Sequence, residues 1–417
     1  MPGGGKRAGG GGACEVAITG LGLVTPAGIG VKENWDRVQS GVSCATTDEA
    51  LREAPVGFSC RVPGFDAEAL LGGLLSWQLE RFVQLAVVAA RQALEDSGLE
   101  QGTWDGTRVG VVFGNSLGGS SSVEREHLAL LDGGPRKVSP LMIPMHLVNM
   151  VAGYVAIDIG AQGPSLVTAA ACASGTMAVG IGRDLLRAGS CDVVVAGGTE
   201  SALTPLLIAG FSRMGVLSRR AGDPGAASRP FDAGRDGFVA AEGAGVLVLE
   251  RTEDAVARGA RVRGVVRGYG CATDAYHVST PEPDGQGLER ALRAALADAG
   301  LGARDVDHVN AHGTSTRVND LTEGRVLHRV LGDRPLVTST KGVTGHPLAA
   351  AGAIEAAYTV LALEHQAVPP TANLMNLDPG VEINVVAGAP ASAPIEVAVT
   401  TSMGFGGHNA ALVLSAA

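Results

Sequence analysis

Positive charge falls short of negative charge in this chain, and aromatic side chains are few. Its 417 residues carry 32 Lys and Arg against 42 Asp and Glu, a formal net charge of −10. That balance argues against bulk electrostatic binding to nucleic acid or to an anionic membrane surface, so an acidic partner has to be met by a local basic patch. Aromatics make up only 4% of the residues while hydrophobic residues reach 46%, and the 61 glycines follow no collagen-like period. Such a composition fits a compact α/β protein packed with Ala, Val and Leu. The six cysteines (14, 44, 60, 172, 191 and 271) form neither CxxC pairs nor a regular framework, which points away from a disulfide scaffold and toward a reducing, cytoplasmic setting.

A clean membrane-spanning run is also missing. Two uncharged stretches, 138–157 and 159–182, are long enough, but both carry Pro and Gly and the first holds His146 and Asn149. They read as buried core. The leader "MPGGGKRAGGGGA" (1–13) has too few apolar residues for a secretory or transit segment, and its glycines predict a flexible piece outside the fold.

What is present is a repeated strand–helix rhythm. "EVAITGLGLVTPAG" (15–28) reads as a buried strand breaking at Pro and Gly, "LERFVQLAVVAARQALEDSG" (79–98) as an amphipathic helix, and "RVGVVFGNSLGG" (108–119) as strand and turn. "SLVTAAAC", "ASGTMAVGIGRDLLRAG", "CDVVVAGGTE" and "GAGVLVLERTEDAVARGA" continue the alternation around a loop-rich stretch at 201–236. After about residue 261 the plan restarts with "VRGVVRGYGCATDAY" and runs through "GLERALRAALADAG", "VDHVNAHGTST", "NDLTEGRVLHRVLG", "PLVTSTKG", "PLAAAGAIEAAYTVLALEHQ" and a final strand pair. The spacing predicts two diverged βαβαβ halves, 14–260 and 261–417, with no linker between them.

Chemistry concentrates in a few strand-end loops. In "TAAACASGTMAVG", Cys172 stands where an apolar strand meets a helix that opens with Ala173, Ser174 and Gly175. A thiol there sees free N–H groups and the positive end of the helix dipole, which favours a thiolate. An isolated cysteine among small residues is equally an ordinary buried one. "NAHGTST" puts His312 at a strand end, "STKGVTGHPLAAAG" brings Lys341 and His346 into one loop with Glu355 in the following helix, and "GFGGHN" adds a turn with backbone N–H groups to offer. Each alone is weak, but together they mark an α/β site.

"VTAAACASGT", "DVVVAGGTESALTP", "SRPFDAGRDGFVAAEGAGVLVLE", "VNAHGTSTRVND", "STKGVTGHPLAAAGAIEA", "AVPPTANL" and "SMGFGGHNAALV" resemble the β-ketoacyl-acyl-carrier-protein synthases, in family order over nearly the whole chain after residue 14. "GGPRKVSP" and "TDAYHVSTPEPDG" are most similar to the elongating type, a group that includes the ketosynthase subunits of type II polyketide pathways. The resemblance implies a dimeric thiolase fold, five-layered as αβαβα, with no metal and no diffusible cofactor. Phosphopantetheine would arrive on acyl carrier protein, and the partner subunit would be a second copy or a chain-length-factor-like chain.

Carried onto this chain, the resemblance makes Cys172 the nucleophile and His312 and His346 the donors to the enolate formed when malonyl-carrier protein loses carbon dioxide. Lys341 would pair with Glu355 to order the histidines, Asp320 would belong to a supporting polar network, and Thr314 and Thr316 would hold the pantetheine arm. The backbone N–H groups of Cys172 and Phe405 would form the oxyanion hole, with Phe405 also the gate. Leu117 would line the acyl pocket and Met142 would close it from across a dimer. Thiolases place a second cysteine in the C-terminal glycine loop and priming synthases use Cys, His and Asn, so a Cys-His-His set implies decarboxylative elongation. Docking of carrier protein would fall to Arg136, Lys137 and Arg213, since "LGGLLSWQLER" offers only Arg81 where many relatives carry several cations. Val343 and Met403 also depart from the family pattern.

Overall fold

The computed structural model describes residues 14–100 and 102–417; the leader, 1–13, lies outside them. Ten strands build the frame: β1 (Val16–Thr25), β2 (Val109–Gly114), β3 (Ser165–Thr168), β4 (Val193–Ser201) and β5 (Glu242–Arg251), then β6 (Gly264–Thr273), β7 (His308–Asn310), β8 (Leu336–Thr338), β9 (Val397–Gly404) and β10 (His408–Ser415). From the centre outward, the first five run β1-β5-β4-β2-β3 and the second five β6-β10-β9-β7-β8. In each set the inner two pairings are antiparallel and the outer two parallel. The expected duplication is therefore a duplication of topology, and the sets join edge to edge where Val16–Ile18 pair with Gly264–Val266.

Helices supply the other three layers. α1 (Arg81–Ser97) covers the outer face of the first sheet, and α3 (Gln286–Ala299) with α4 (Arg317–Leu331) covers that of the second. Between the sheets lie α2 (Ser174–Arg187) and α5 (Ala351–His365), packed on each other and on strands of both sets. α5 is buried from Ala351 to Leu363 without a polar face, as a helix enclosed by a sheet on either side must be. Glycine marks the close approaches. A Cβ on Gly20 or Gly22 of β1 would strike the carbonyls of Ala93 and Ala89 in α1, and one on Gly268 or Gly270 of β6 those of Ala295 and Ala291 in α3.

The ten strands and α1 to α5 fall where the hydrophobic periods put them. Helices at Val31–Ser40, Ser120–Gly133, Met150–Ile159 and Pro205–Met214 do not. The last sits inside the stretch read as loop-rich, because Thr204 caps it and Pro205 starts it, a start signal masked by the surrounding Pro and Gly. No described helix is long and apolar enough to cross a membrane; the two uncharged stretches break into short helices, β3 and α2. All six cysteines are free.

Candidate active site

Cys172 sits on a sharp turn between β3 and α2. Ala171 is held at φ 48°, a left-handed conformation that a non-glycine residue keeps only when its surroundings enforce it. They do so through hydroxyls: Thr168 Oγ1 donates to the Ser174 carbonyl (2.8 Å), and Ser174 Oγ donates to the Ala171 carbonyl (2.6 Å) and accepts from Ala170 N–H (2.8 Å). Small residues let the turn close. Gly404 brings the Phe405 turn against it, since a Cβ there would lie 3.2 Å from Cys172 N and 2.5 Å from the Ala170 carbonyl.

The crossing of α2 and α5 brings the two halves' chemistry together. Gly175 near the start of α2 faces the Ala353 nitrogen, and Gly352 near the start of α5 faces Thr176, where added Cβ atoms would be 2.7 and 1.9 Å from their neighbours. The residues just ahead of the two helices consequently meet: His346 Nε2 is 3.1 Å from Cys172 Sγ. His346 is strung on β-bridge contacts, its N–H donating to Val239 (2.8 Å) and its carbonyl accepting from Ala241 (3.2 Å). The Phe238 ring packs edge-on against its imidazole at 5.2 Å.

His312, beyond the end of β7, lies edge-to-face with His346 at 5.3 Å between ring centroids. Lys341 Nζ reaches the His312 carbonyl at 2.6 Å, His312 Nδ1 at 3.3 Å, and the Glu355 carboxylate. An ammonium can only donate, so Nδ1 of His312 accepts and its proton sits on Nε2. The Lys341–Glu355 pair expected from sequence is therefore formed, and both side chains are buried. Glu323, not singled out from the sequence, fixes the loop by accepting from His312 N–H (2.8 Å), Gly313 N–H (2.7 Å) and Thr401 Oγ1 (2.7 Å). Its one sequence signal is an acid one helical turn after Asp320, on the face that buries Val326 and Leu327.

The electrostatics correct one expectation. Burial pushes the Cys172 thiol up to about 12, with the Lys341 charge lowering it only in part and Glu200 and Glu355 opposing. The resting group is a thiol, because the dry site outweighs the helix end. Burial, then Lys341, hold His312 and His346 well below the usual imidazole range, so both are neutral. Glu355 is raised to about 7 by burial against the pull of Lys341, and Asp320 to about 6. Cys172 Sγ and the ligand nitrogens of the two histidines lie within 4.8 Å of one another, so one small atom, a substrate oxygen or a metal ion, could sit against all three.

A cavity of about 550 Å³ opens onto this cluster, lined by Cys172, His312, His346, Leu117, Thr314, Thr316 and Phe405 among others. Thr314 and Thr316 hold their hydroxyls 2.9 Å apart. Asp320 stands behind the loop, accepting from Phe231 N–H (2.8 Å) and Ser315 N–H (3.2 Å). Met142, on the short helix Met142–His146, does not line the cavity of its own chain. Arg136 and Lys137 are exposed on a turn after the helix Ser120–Gly133, and Arg213 is exposed beside Met214 at the cavity mouth. Arg81 is not a free cation: it pairs with buried Glu242 at 2.8 Å and stacks over Phe65. Met403 and Val343 are buried, Met403 in the cavity wall.

A buried thiol paired with one imidazole, beside a second imidazole ordered by a Lys–Glu pair, on a duplicated five-layered frame, defines a thiolase-fold acyl-transfer enzyme. Residues 13–255 match the N-terminal domain and 263–375 the C-terminal domain of beta-ketoacyl synthase. The 3-oxoacyl-[acyl-carrier-protein] synthase 2 of Synechocystis sp. is 43% identical over 95% of this chain and 97% of its own, and that of Staphylococcus aureus 41% over 96% and 97%. Among solved structures, the ishigamide ketosynthase/chain length factor matches with a TM-score of 0.92 at 32% identity, covering 97% of this chain and 100% of that one. A type II polyketide ketosynthase solved with its acyl-carrier protein and a hexaketide matches with a TM-score of 0.90 at 33% identity, with the same coverage. The chain belongs to the β-ketoacyl synthase family and is a condensing acyltransferase.

Proposed function

We propose that the protein elongates acyl chains by decarboxylative condensation with malonyl-acyl carrier protein. The observation that carries this reading is the convergence of Cys172, His346 and His312 on one cavity. In the first half-reaction the Cys172 sulfur attacks the carbonyl of an acyl thioester delivered on carrier protein. The new C–S bond replaces the one to pantetheine, whose sulfur leaves with the proton that Cys172 gives up. Thr314 and Thr316 hold the arm, and the backbone N–H groups of Cys172 and Phe405 receive the oxyanion.

Once acylated, the sulfur bears no proton. In its Nε2-protonated tautomer His346 then donates beside Nε2–H of His312, and two neutral imidazoles suit a donor pair better than an acid–base pair. Malonyl thioester loses its carboxylate as carbon dioxide, and the electron pair of the broken C–C bond becomes an enolate whose oxygen these donors stabilise. Its carbon attacks the acyl-Cys172 carbonyl. The Cys172 thiolate leaves and takes a proton from water, giving β-ketoacyl-carrier protein. Lys341, neutralised by Glu355, holds His312 in the donor tautomer, and Asp320 supports the loop. Phe405 gates the cavity.

The phosphopantetheine enters with acyl carrier protein, for which Arg136, Lys137 and Arg213 provide the local positive charge that the net charge of −10 demands. The partner subunit is a second copy or a chain-length-factor-like chain: β3 is an edge strand with Leu166 exposed, flanked by exposed Ile143, Leu147 and Ile157, and Met142 lies in the same segment. A ketosynthase subunit in a dedicated polyketide pathway is the second reading, suggested by the polyketide neighbours. Six free cysteines suit a reducing cytoplasm. The test is the intact mass after incubation with acyl-carrier proteins. We expect one acyl adduct on Cys172 and none in Cys172→Ala; condensation surviving in Cys172→Ala would overturn the assignment.

A further inference from the structure

Glu200, the penultimate residue of β4, is fully buried and lines the cavity. No cation reaches its carboxylate among the described residues. Three of its partners are instead the donors of one turn: Asn115 Nδ2 at 3.0 Å, Ser116 N–H at 3.2 Å and Leu117 N–H at 3.3 Å. The turn is gripped from its other side as well. Asn115 Nδ2 also donates to the Thr199 carbonyl (2.8 Å), and its Oδ1 accepts from Gly118 N–H (3.0 Å). A Cβ on Gly118, at φ 57°, would sit 2.2 Å from the His146 carbonyl, so the turn is wedged against the helix Met142–His146. Ser116 Oγ lies 3.0 Å from Ser174 Oγ, so the same turn abuts the Cys172 elbow.

Burying a carboxyl without a counter-charge is unfavourable where an apolar residue would not be. Here burial raises Glu200 to about 8 despite those hydrogen bonds. What it obtains is a backbone turn with both N–H groups satisfied and with Leu117 held in one place. Leu117 packs in the same apolar cluster as Cys172.

We infer that Glu200 is a positioning residue: it fixes the 115–118 turn so that Leu117 forms a rigid wall limiting the length of acyl chain that Cys172 accepts. This rests on the cavity being the acyl site proposed above. A turn freed from Glu200 lets Leu117 retreat, and longer chains gain room.

The test measures loading of Cys172 by intact mass, using a series of straight-chain acyl-pantetheine thioesters of increasing length. Leu117→Ala and Glu200→Asp, which retracts the carboxyl by one methylene, should each raise the ratio of long-chain to short-chain loading by about tenfold, the scale of one or two methylenes in an apolar pocket. Glu200→Gln keeps an oxygen for the two backbone N–H groups but turns an amide NH2 toward the Asn115 donor, so it should raise the ratio by less than Glu200→Asp does; a larger rise than in Glu200→Asp would overturn the inference. If Glu200→Asp lowers loading equally at every length while Leu117→Ala shifts the ratio, Glu200 is merely structural and the inference fails. If Leu117→Ala leaves the ratio unchanged, the acyl-site reading fails and takes the inference with it. Should Glu200→Asp not fold, Asn115→Ala loosens the same turn from its other side; an unchanged ratio there overturns the inference.

Discussion

The two halves of the molecule share a topology and divide the chemistry. Each runs its five strands in the same order, and each seats its outer helix on a glycine pair, Gly20 and Gly22 in the first and Gly268 and Gly270 in the second. Each also leads its third strand into a central helix, α2 or α5. The difference is what stands just ahead of that helix. The first half places Cys172 there, on a turn held by serine and threonine; the second places His346, with Lys341 in the same loop, and adds His312 from the loop after β7. Duplication alone builds no site, but two central helices crossing at Gly175 and Gly352 make the two equivalent loops face each other. On the function proposed above, one half supplies the group that is acylated and the other the groups that handle developing charge.

The sharpest way to break this division is to remove chemistry from one half only. In a Cys172→Gln background, where the glutamine stands in for the acylated cysteine, malonyl-carrier protein should still release carbon dioxide. Adding His346→Ala should then reduce decarboxylation about 100- to 1,000-fold, the scale of one lost oxyanion donor. Release of labelled carbon dioxide measures it. Unchanged decarboxylation would mean the second half does not stabilise the enolate.

The next test compares two glycines of the second half. Gly352→Ala and Gly268→Ala each force a Cβ into backbone, at 2.6 Å from Thr176 N and 2.1 Å from the Ala295 carbonyl respectively. Overpacking of this kind costs about 1–3 kcal/mol, visible as a lowered melting temperature in both. Only Gly352 lies at the crossing, so at temperatures well below melting only Gly352→Ala should slow acylation of Cys172. Equal slowing in both would show that the crossing has no special part in the 3.1 Å contact between Cys172 and His346.

These halves also differ in how legible they were. The strands, α1 to α5 and the duplication follow from hydrophobic period and glycine breaks, and Cys172, His312, His346 and Lys341 stood out as polar groups in glycine-bearing strand-end loops. Glu323 and Glu200 did not, because an acid at the end of a strand or in a helix normally faces water, and only tertiary packing turns these two inward. Phe238, whose ring packs on His346, lies just past the loop-rich stretch at 201–236, where no hydrophobic period marks it. The charge state of Cys172 escapes the sequence for a related reason: a helix N-terminus can be read from sequence, but the desolvation that outweighs it belongs to the whole fold.

That desolvation has a pH signature. With Cys172 at about 12, the thiolate fraction, and with it alkylation by iodoacetamide, should climb about tenfold per pH unit through the mildly alkaline range. A plateau below about pH 10 would contradict the burial argument. The histidines act in the opposite direction. Their folded values are depressed, so the neutral donor forms persist as pH falls, and decarboxylation by Cys172→Gln should stay level to below the ordinary imidazole value of about 6.5.

The smallest expected effect separates the cavity mouth from its interior. Arg136, Lys137 and Arg213 are exposed, whereas Arg81 is spent on Glu242. Charges at a rim act mainly on encounter and are screened by salt. Arg213→Glu should therefore raise KM for acyl-carrier protein by about two- to fivefold at low salt, the scale of a single rim charge. It should leave kcat and loading from a small acyl-pantetheine thioester unchanged, and the KM difference should shrink as salt is added. The exposed stripe of Leu74 and Trp77 gives the contrary outcome a physical basis: if all three charge reversals leave KM unmoved at low salt, the carrier protein docks on this apolar surface. The negative net charge of this chain would then be tolerated by contact chemistry and not by a basic patch.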